Sequence, residues 1–180
     1  MSFFQNIKNQ LAGLKIRSKQ NKNPRKKEFH NLESAKNIGI LFDTLQEKNH
    51  SVVKKFAENL QQKGCKVQTV GWVNATELPN FGVAQKIVFY TNKDIKWSGE
   101  PIIPELVEFI NQKFDLLFVL TDSDHLSIKY LSKVSLASCK VGLLVDNCEH
   151  LDLMIDLGKN KSIENLISES LKYLSQIKKE

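Results

Sequence analysis

Four aspartates stand just past apolar runs of strand length, and carboxylates so placed are the chain's best material for chemistry. Asp43 follows residues 36–42, Asp122 and Asp124 follow residues 115–121, and Asp146 follows residues 140–145. In an open parallel sheet the carboxyl ends of the strands share one edge, where ligands bind, so the four can meet there and hold a hard cation such as Mg²⁺. A plainer role fits them too, because Asp suits the turns that follow strands and caps the next helix. His125, beside Asp124, has the chemistry of a general base, but no nucleophile is spaced to serve it, and a solvent-facing turn histidine is expected. His30, His50 and His150 show no i, i+4 pairing. Cys65, Cys139 and Cys148 form an odd set without C-x-x-C, which reads as three reduced thiols of a cytoplasmic protein. The turn after the first apolar run, Phe42-Asp43-Thr44-Leu45-Gln46-Glu47, has no glycine to let backbone approach a pyrophosphate. Neither catalytic residues nor a nucleotide or other cofactor is expected.

A second kind of chemistry is electrostatic. The first 27 residues hold eight basic side chains, Lys8, Lys15, Arg17, Lys19, Lys22, Arg25, Lys26 and Lys27, and no acidic one. The other 18 basic residues face all 20 acidic ones, so this arm carries +8 and the rest of the chain −2. A concentrated cationic arm seeks phosphate-rich surfaces. Phe3, Phe4, Ile7, Leu11 and Leu14 fall within an arc of about 100° on a helical projection, with Lys8 and Lys15 at its border. Residues 2–17 therefore read as a short amphipathic helix that orders against a surface, and residues 19–27 as a hydrophilic tether. Trp97, between Lys93 and Lys96 on one side and Ser98-Gly99 on the other, is free to stack on a base or anchor a partner, or to fold back over the sheet edge.

The elements that must position these residues alternate between short apolar runs and helical periods, the signature of βαβ units. Strands are expected at 36–42, 66–73, 86–90, 115–121, 140–145 and 152–157. Trp72 is expected in the core of the second, and a loop with Pro79 and Gly82 precedes the third. Helices are expected at 51–63, where Gly64 supplies the stop, from Pro104, at 128–137, and after the N-cap Ser162. The longest apolar runs are too short to span a bilayer, and the N-terminus lacks the pattern of a secretory signal. The expected fold is a single three-layer α/β domain over residues 36–180, Rossmann-like or flavodoxin-like, with a mainly parallel sheet, after a basic arm and linker over residues 1–35.

Phe114-Asp115-Leu116-Leu117-Phe118-Val119, Ile128-Lys129-Tyr130-Leu131, Cys139-Lys140-Val141-Gly142, Ile38-Gly39-Ile40-Leu41-Phe42 and Asp152-Leu153-Met154-Ile155 together resemble a family of uncharacterised bacterial proteins. That resemblance implies a small cytoplasmic α/β protein and carries no catalytic residues. The central stretch is more weakly similar to the N-terminal half of heptosyltransferase-like glycosyltransferases, and Asp122-Ser123-Asp124 resembles the metal-binding Asp-x-Asp of nucleotide-sugar transferases. The leading functional expectation is a non-catalytic accessory protein that docks on structured RNA, the ribosome in particular, through Lys8, Lys15, Arg17, Lys19, Lys22, Arg25, Lys26 and Lys27 with Trp97. The alternatives are peripheral attachment to an anionic membrane face through the amphipathic helix, and a small metal-dependent or glycosyltransferase-like enzyme using the aspartates.

Overall fold

Among the described residues six short runs rich in Val, Ile, Leu and Phe pair into one sheet, and every pairing between them is parallel. They are β1 Asn37–Asp43, β2 Lys66–Trp72, β3 Ile87–Tyr90, β4 Leu116–Leu120, β5 Cys139–Leu143 and β6 Leu153–Ile155, in the order β3-β2-β1-β4-β5-β6. The computed structural model describes residues 3–22, 24–78, 87–146 and 148–177, without the side chains of 3–9 and 47. The expected loop with Pro79 and Gly82, Lys86 of the third expected strand, and Asn147 lie outside the described residues.

The pleat sorts the core into two layers. In β1, Ile38, Ile40 and Phe42 point to one face and Leu41 to the other, as a period of two requires. The first face is covered by α2 Glu47–Gln62 and α5 Ile163–Gln176, the second by α1 Phe3–Lys22, α3 Pro104–Asn111 and α4 Leu126–Val134. With every residue of β4 buried, the run reads as a central parallel strand should. The result is a three-layer α/β fold, Rossmann-like in strand order.

Two helix boundaries differ from the sequence pattern for tertiary reasons. α2 begins at Glu47 rather than at residue 51, with no side-chain cap from Gln46. Its first turn is held by Asn49, buried, whose Nδ2 donates to the Asp43 carbonyl at 3.3 Å. α4 ends at Val134 because the chain is drawn toward α3, where the Leu136 amide donates to the Ile110 carbonyl at 3.1 Å. The arm differs most. One helix runs through to Lys22, packs on α4, and buries Ala12 and Ile16, with Ile16 in the second layer, so the core does not begin only after residue 35.

Candidate functional site

The sheet reverses its direction of growth between β1 and β4, and their carboxyl ends flank the crevice where such folds place ligands. Asp43 is the last residue of β1, paired with Trp72, and only 2% exposed. Its Oδ1 accepts from the Leu45 amide at 3.0 Å and from Asn49 Nδ2 at 3.4 Å, and its Oδ2 accepts from Thr121 Oγ1 in a short bond. This carboxylate is a clasp that ties β1, β4 and α2 together. Asp122, Asp124 and Asp146 lie past the strand ends, exposed, and line a separate cavity of about 320 Å³ over β4 and β5. Asp124 is ion-paired with Lys129. The four aspartates thus divide into one buried clasp and three rim residues. Among the described residues no three His, Cys, Asp or Glu side chains group as metal ligands.

His125 is half-buried rather than solvent-facing. Its ring stacks on Trp72 with centroids 3.8 Å apart and planes at 20°, and its Nδ1 lies 2.8 Å from Ser127 Oγ. Ser127 Oγ in turn lies 3.0 Å from the Tyr90 hydroxyl, so a buried relay joins β2, β3 and α4. Burial holds the imidazole below its ordinary pKa. Burial also pushes the Tyr90 phenol up, aided by the Asp43 charge and opposed by the Ser127 bond. No periodicity points to this relay; its one sequence signal is the polar pair His125 and Ser127 at the start of an otherwise amphipathic helix.

The arm is pinned, not tethered. Arg25 grips Asp152 with both terminal nitrogens at 2.7 and 2.8 Å, and its Nη1 also donates to the carbonyls of Ala137 and Ser138 at 3.1 and 3.0 Å. Lys27 Nζ reaches the same carboxylate at 3.4 Å. Burial pushes the Asp152 carboxyl up, but the bonds from Arg25 and the Lys140 amide, with the charges of Arg25 and Lys27, outweigh it and hold the group below its ordinary range. Close by, the buried Lys140 ammonium donates to the carbonyls of Ser132 and Lys133 at 2.7 and 3.1 Å, satisfying the last turn of α4 from inside. Gln20 Nε2 donates to the same Lys133 carbonyl at 2.9 Å, so α1 and Lys140 close that helix end together. Burial, with the Arg25 charge, lowers the Lys140 pKa to about 7, against the pull of Asp152.

Docking through Ala12 and Ile16 settles which side of α1 faces out. At about 100° per residue, Leu11 and Leu14 fall on the opposite side of the helix, and they are 45% and 59% exposed. Phe3, Phe4 and Ile7 share that stripe by register, though their side chains and that of Lys8 lie outside the described residues. Lys15 Nζ sits 5.1 Å from the centroid of the Trp97 ring, which is 51% exposed. Trp97 therefore neither folds back over the sheet nor stands alone; it extends the outward side of α1.

Its loop is rigid. Thr91 and Asp94 form a capping box around the 3-10 turn Asn92–Asp94, Ile95 bridges to Pro101, and Ser98 is buried. Gly99, at φ +81°, packs so closely on α4 that a Cβ would come within 2.8 Å of the Leu126 carbonyl oxygen.

The remaining arm cations are unequal. Lys26 pairs with Glu28 at 3.0 Å, whereas Arg17, Lys19 and Lys22 have no ion-pair partner among the described residues. Among the described residues no helix is long and apolar enough to cross a membrane. No curated protein and no solved structure matches the chain. A family model does, over residues 8–177, a span that takes in α1 from its second turn, all six strands and the whole carboxyl edge, and the chain accordingly belongs to the family of unknown function DUF6913.

Proposed function

We propose that this protein is a peripheral membrane protein that lays the outward side of α1, with Trp97, on an anionic lipid surface, while the α/β body holds the helix at a fixed angle. The observation that carries this reading is the exposure of Leu11 and Leu14 on a helix that is already docked by its other side. A helix bound only for stability would turn all its larger apolar residues inward, yet here Ile16 and the small Ala12 go in and two leucines stay out. An interfacial helix needs such an apolar stripe bordered by cations, which Arg17 and Lys15 supply, and Trp is favoured at the boundary between lipid and water.

Structured RNA is the other partner that the arm's charge admits. It would use the cations and leave the leucines in water. Arg25, Lys26 and Lys27 are engaged with carboxylates and Lys15 with Trp97, which leaves Arg17, Lys19 and Lys22 as the described cations able to meet phosphate. Lys19 shares the docked side with Ala12 and Ile16, so at an anionic surface Arg17 and Lys22 contribute, about 1 kcal/mol each. Leu11, Leu14 and Trp97, each about half-exposed, contribute a further 1 kcal/mol or so apiece when covered. The sum of about 5 kcal/mol corresponds to a dissociation constant on the order of hundreds of micromolar.

Co-sedimentation tests the reading. Wild type is expected to pellet with vesicles of phosphatidylglycerol and phosphatidylcholine, but not of phosphatidylcholine alone, and to be released by salt. Replacing Leu11 and Leu14 by Ser removes about 2 kcal/mol and lowers the affinity about 30-fold. Binding to ribosomes that survives this double substitution, with no vesicle binding by wild type, would replace the membrane reading by the RNA one.

A further inference from the structure

The segment between β5 and β6 folds back over the open edge of the sheet and brings two sulfurs together there. A tight turn, closed by the Leu151 amide donating to the Cys148 carbonyl at 2.9 Å, buries Cys148 and Leu151 on the face that α4 covers. Gly142 of β5 makes the room beneath them, since a Cβ at that position would meet Leu151 Cδ1 at 3.0 Å. Across the sheet Gly142 pairs with Met154 of the edge strand β6. The Cys148 thiol donates to the Met154 thioether, with Sγ and Sδ 3.3 Å apart. Met154 is 44% exposed, so a flexible side chain at the sheet edge is the cover on a buried thiol. His150, half-buried and two residues past Cys148 in the same turn, lines the same cavity as that cysteine. The other two thiols are placed differently: Cys65 donates to the Ala35 carbonyl at 3.5 Å, and burial pushes the Cys139 thiol up to about 11.

We infer that Cys148 and Met154, with His150 as third donor, hold a single Cu(I) ion at the edge of the sheet. Hard cations such as Mg²⁺ take oxygen ligands and structural Zn²⁺ takes four N or S donors, whereas thiolate and thioether together select Cu(I). The thioether sets this group apart from combinations of His, Cys, Asp and Glu alone, none of which forms a metal site among the described residues. The thiol proton already lies between the two sulfurs. The ion takes its place, the proton leaves to solvent, and the copper stays Cu(I), so no electron moves. Met154 swings aside to admit the ion and lets the sulfurs spread to bonding distance. Because a proton is released, binding strengthens as pH rises. The assignment is independent of the membrane reading, since none of the three residues lies on α1 or in the Trp97 loop.

Competition with bicinchoninate for Cu(I), without oxygen and with the full chain, tests this through the colour of the bicinchoninate complex. Wild type is expected to draw the ion from that complex, and an excess of Zn²⁺ is expected not to displace it. Met154→Leu keeps the shape and removes the sulfur at an exposed position, so it should leave the melt of the copper-free protein unchanged and lower Cu(I) affinity at least about tenfold. His150→Gln should weaken binding as well. Cys148→Ala should abolish capture although Cys65 and Cys139 remain; if that variant does not fold, Met154→Leu decides. No capture by wild type, displacement by Zn²⁺, unchanged affinity in Met154→Leu or in His150→Gln, or full capture by Cys148→Ala would overturn the assignment.

Discussion

Replacing Arg25 by Met tests whether the arm belongs to the folded body. The guanidinium is 13% exposed and its partner Asp152 only 7%, and four hydrogen bonds converge on its two terminal nitrogens. Removing one member of a buried pair costs about 3–5 kcal/mol, mainly because the other charge is left desolvated and unpaired. Lys27 and the Lys140 amide still reach Asp152 in the variant, which puts the expected loss at the lower end, about 3 kcal/mol. With a urea m-value of about 2 kcal/mol/M, the unfolding midpoint should fall by about 1.5 M. Asp152→Asn and the double variant complete a thermodynamic cycle, whose coupling should be about 2 kcal/mol. A coupling below about 0.5 kcal/mol, the value of an exposed surface pair, would refute the pinned arm and restore the free tether.

Two further outcomes follow from the buried lysine and the loop glycine. Lys140 titrates near pH 7 in the folded chain against 10.5 when unfolded, so between those values the unfolded chain binds the extra proton and stability rises with pH. Between pH 7.5 and 8.5, above the range of His125 and below that of Cys139, urea melts should show a gain of about 1 kcal/mol in wild type and a much flatter profile in Lys140→Met. Gly99→Ala puts a Cβ against the Leu126 carbonyl at a positive φ, and should cost about 2 kcal/mol in thermal unfolding and weaken vesicle binding by displacing Trp97. An unchanged melt would mean that the loop yields and does not fix the tryptophan.

The strands were readable because burial on both faces leaves runs such as residues 116–120 with no polar position, and because the apolar stripe after Ser162 keeps its period for a whole helix. The alternation of these runs with helical segments carries the layer architecture as well. The depth of the aspartates was not readable. Asp43 and Asp122 both follow apolar runs, but one sits on the last rung of β1 and the other beyond the end of β4. The link of Asp43 to β4 comes from a partner 78 residues away, Thr121. The arm was half readable: periodicity gave the apolar stripe, yet not which side would meet the body, because small Ala12 lets α1 approach α4 closely and carries almost no hydrophobic signal. Arg25 looked like one more tail cation because Asp152 is 127 residues distant. The capping box of Thr91 and Asp94, by contrast, was written locally as T-x-x-D.

Trp97 reports most directly on whether α1 lies on lipid. Trp72 is buried, stacked on His125 and bonded to Asn92, so its emission is a constant background against which Trp97, half-exposed, is read. On anionic vesicles containing brominated lipid, the Trp97 contribution should shift to shorter wavelength and be quenched, and Leu11→Ser with Leu14→Ser should abolish both changes. Emission that stays unquenched while the protein pellets with those vesicles would contradict the docking of this face.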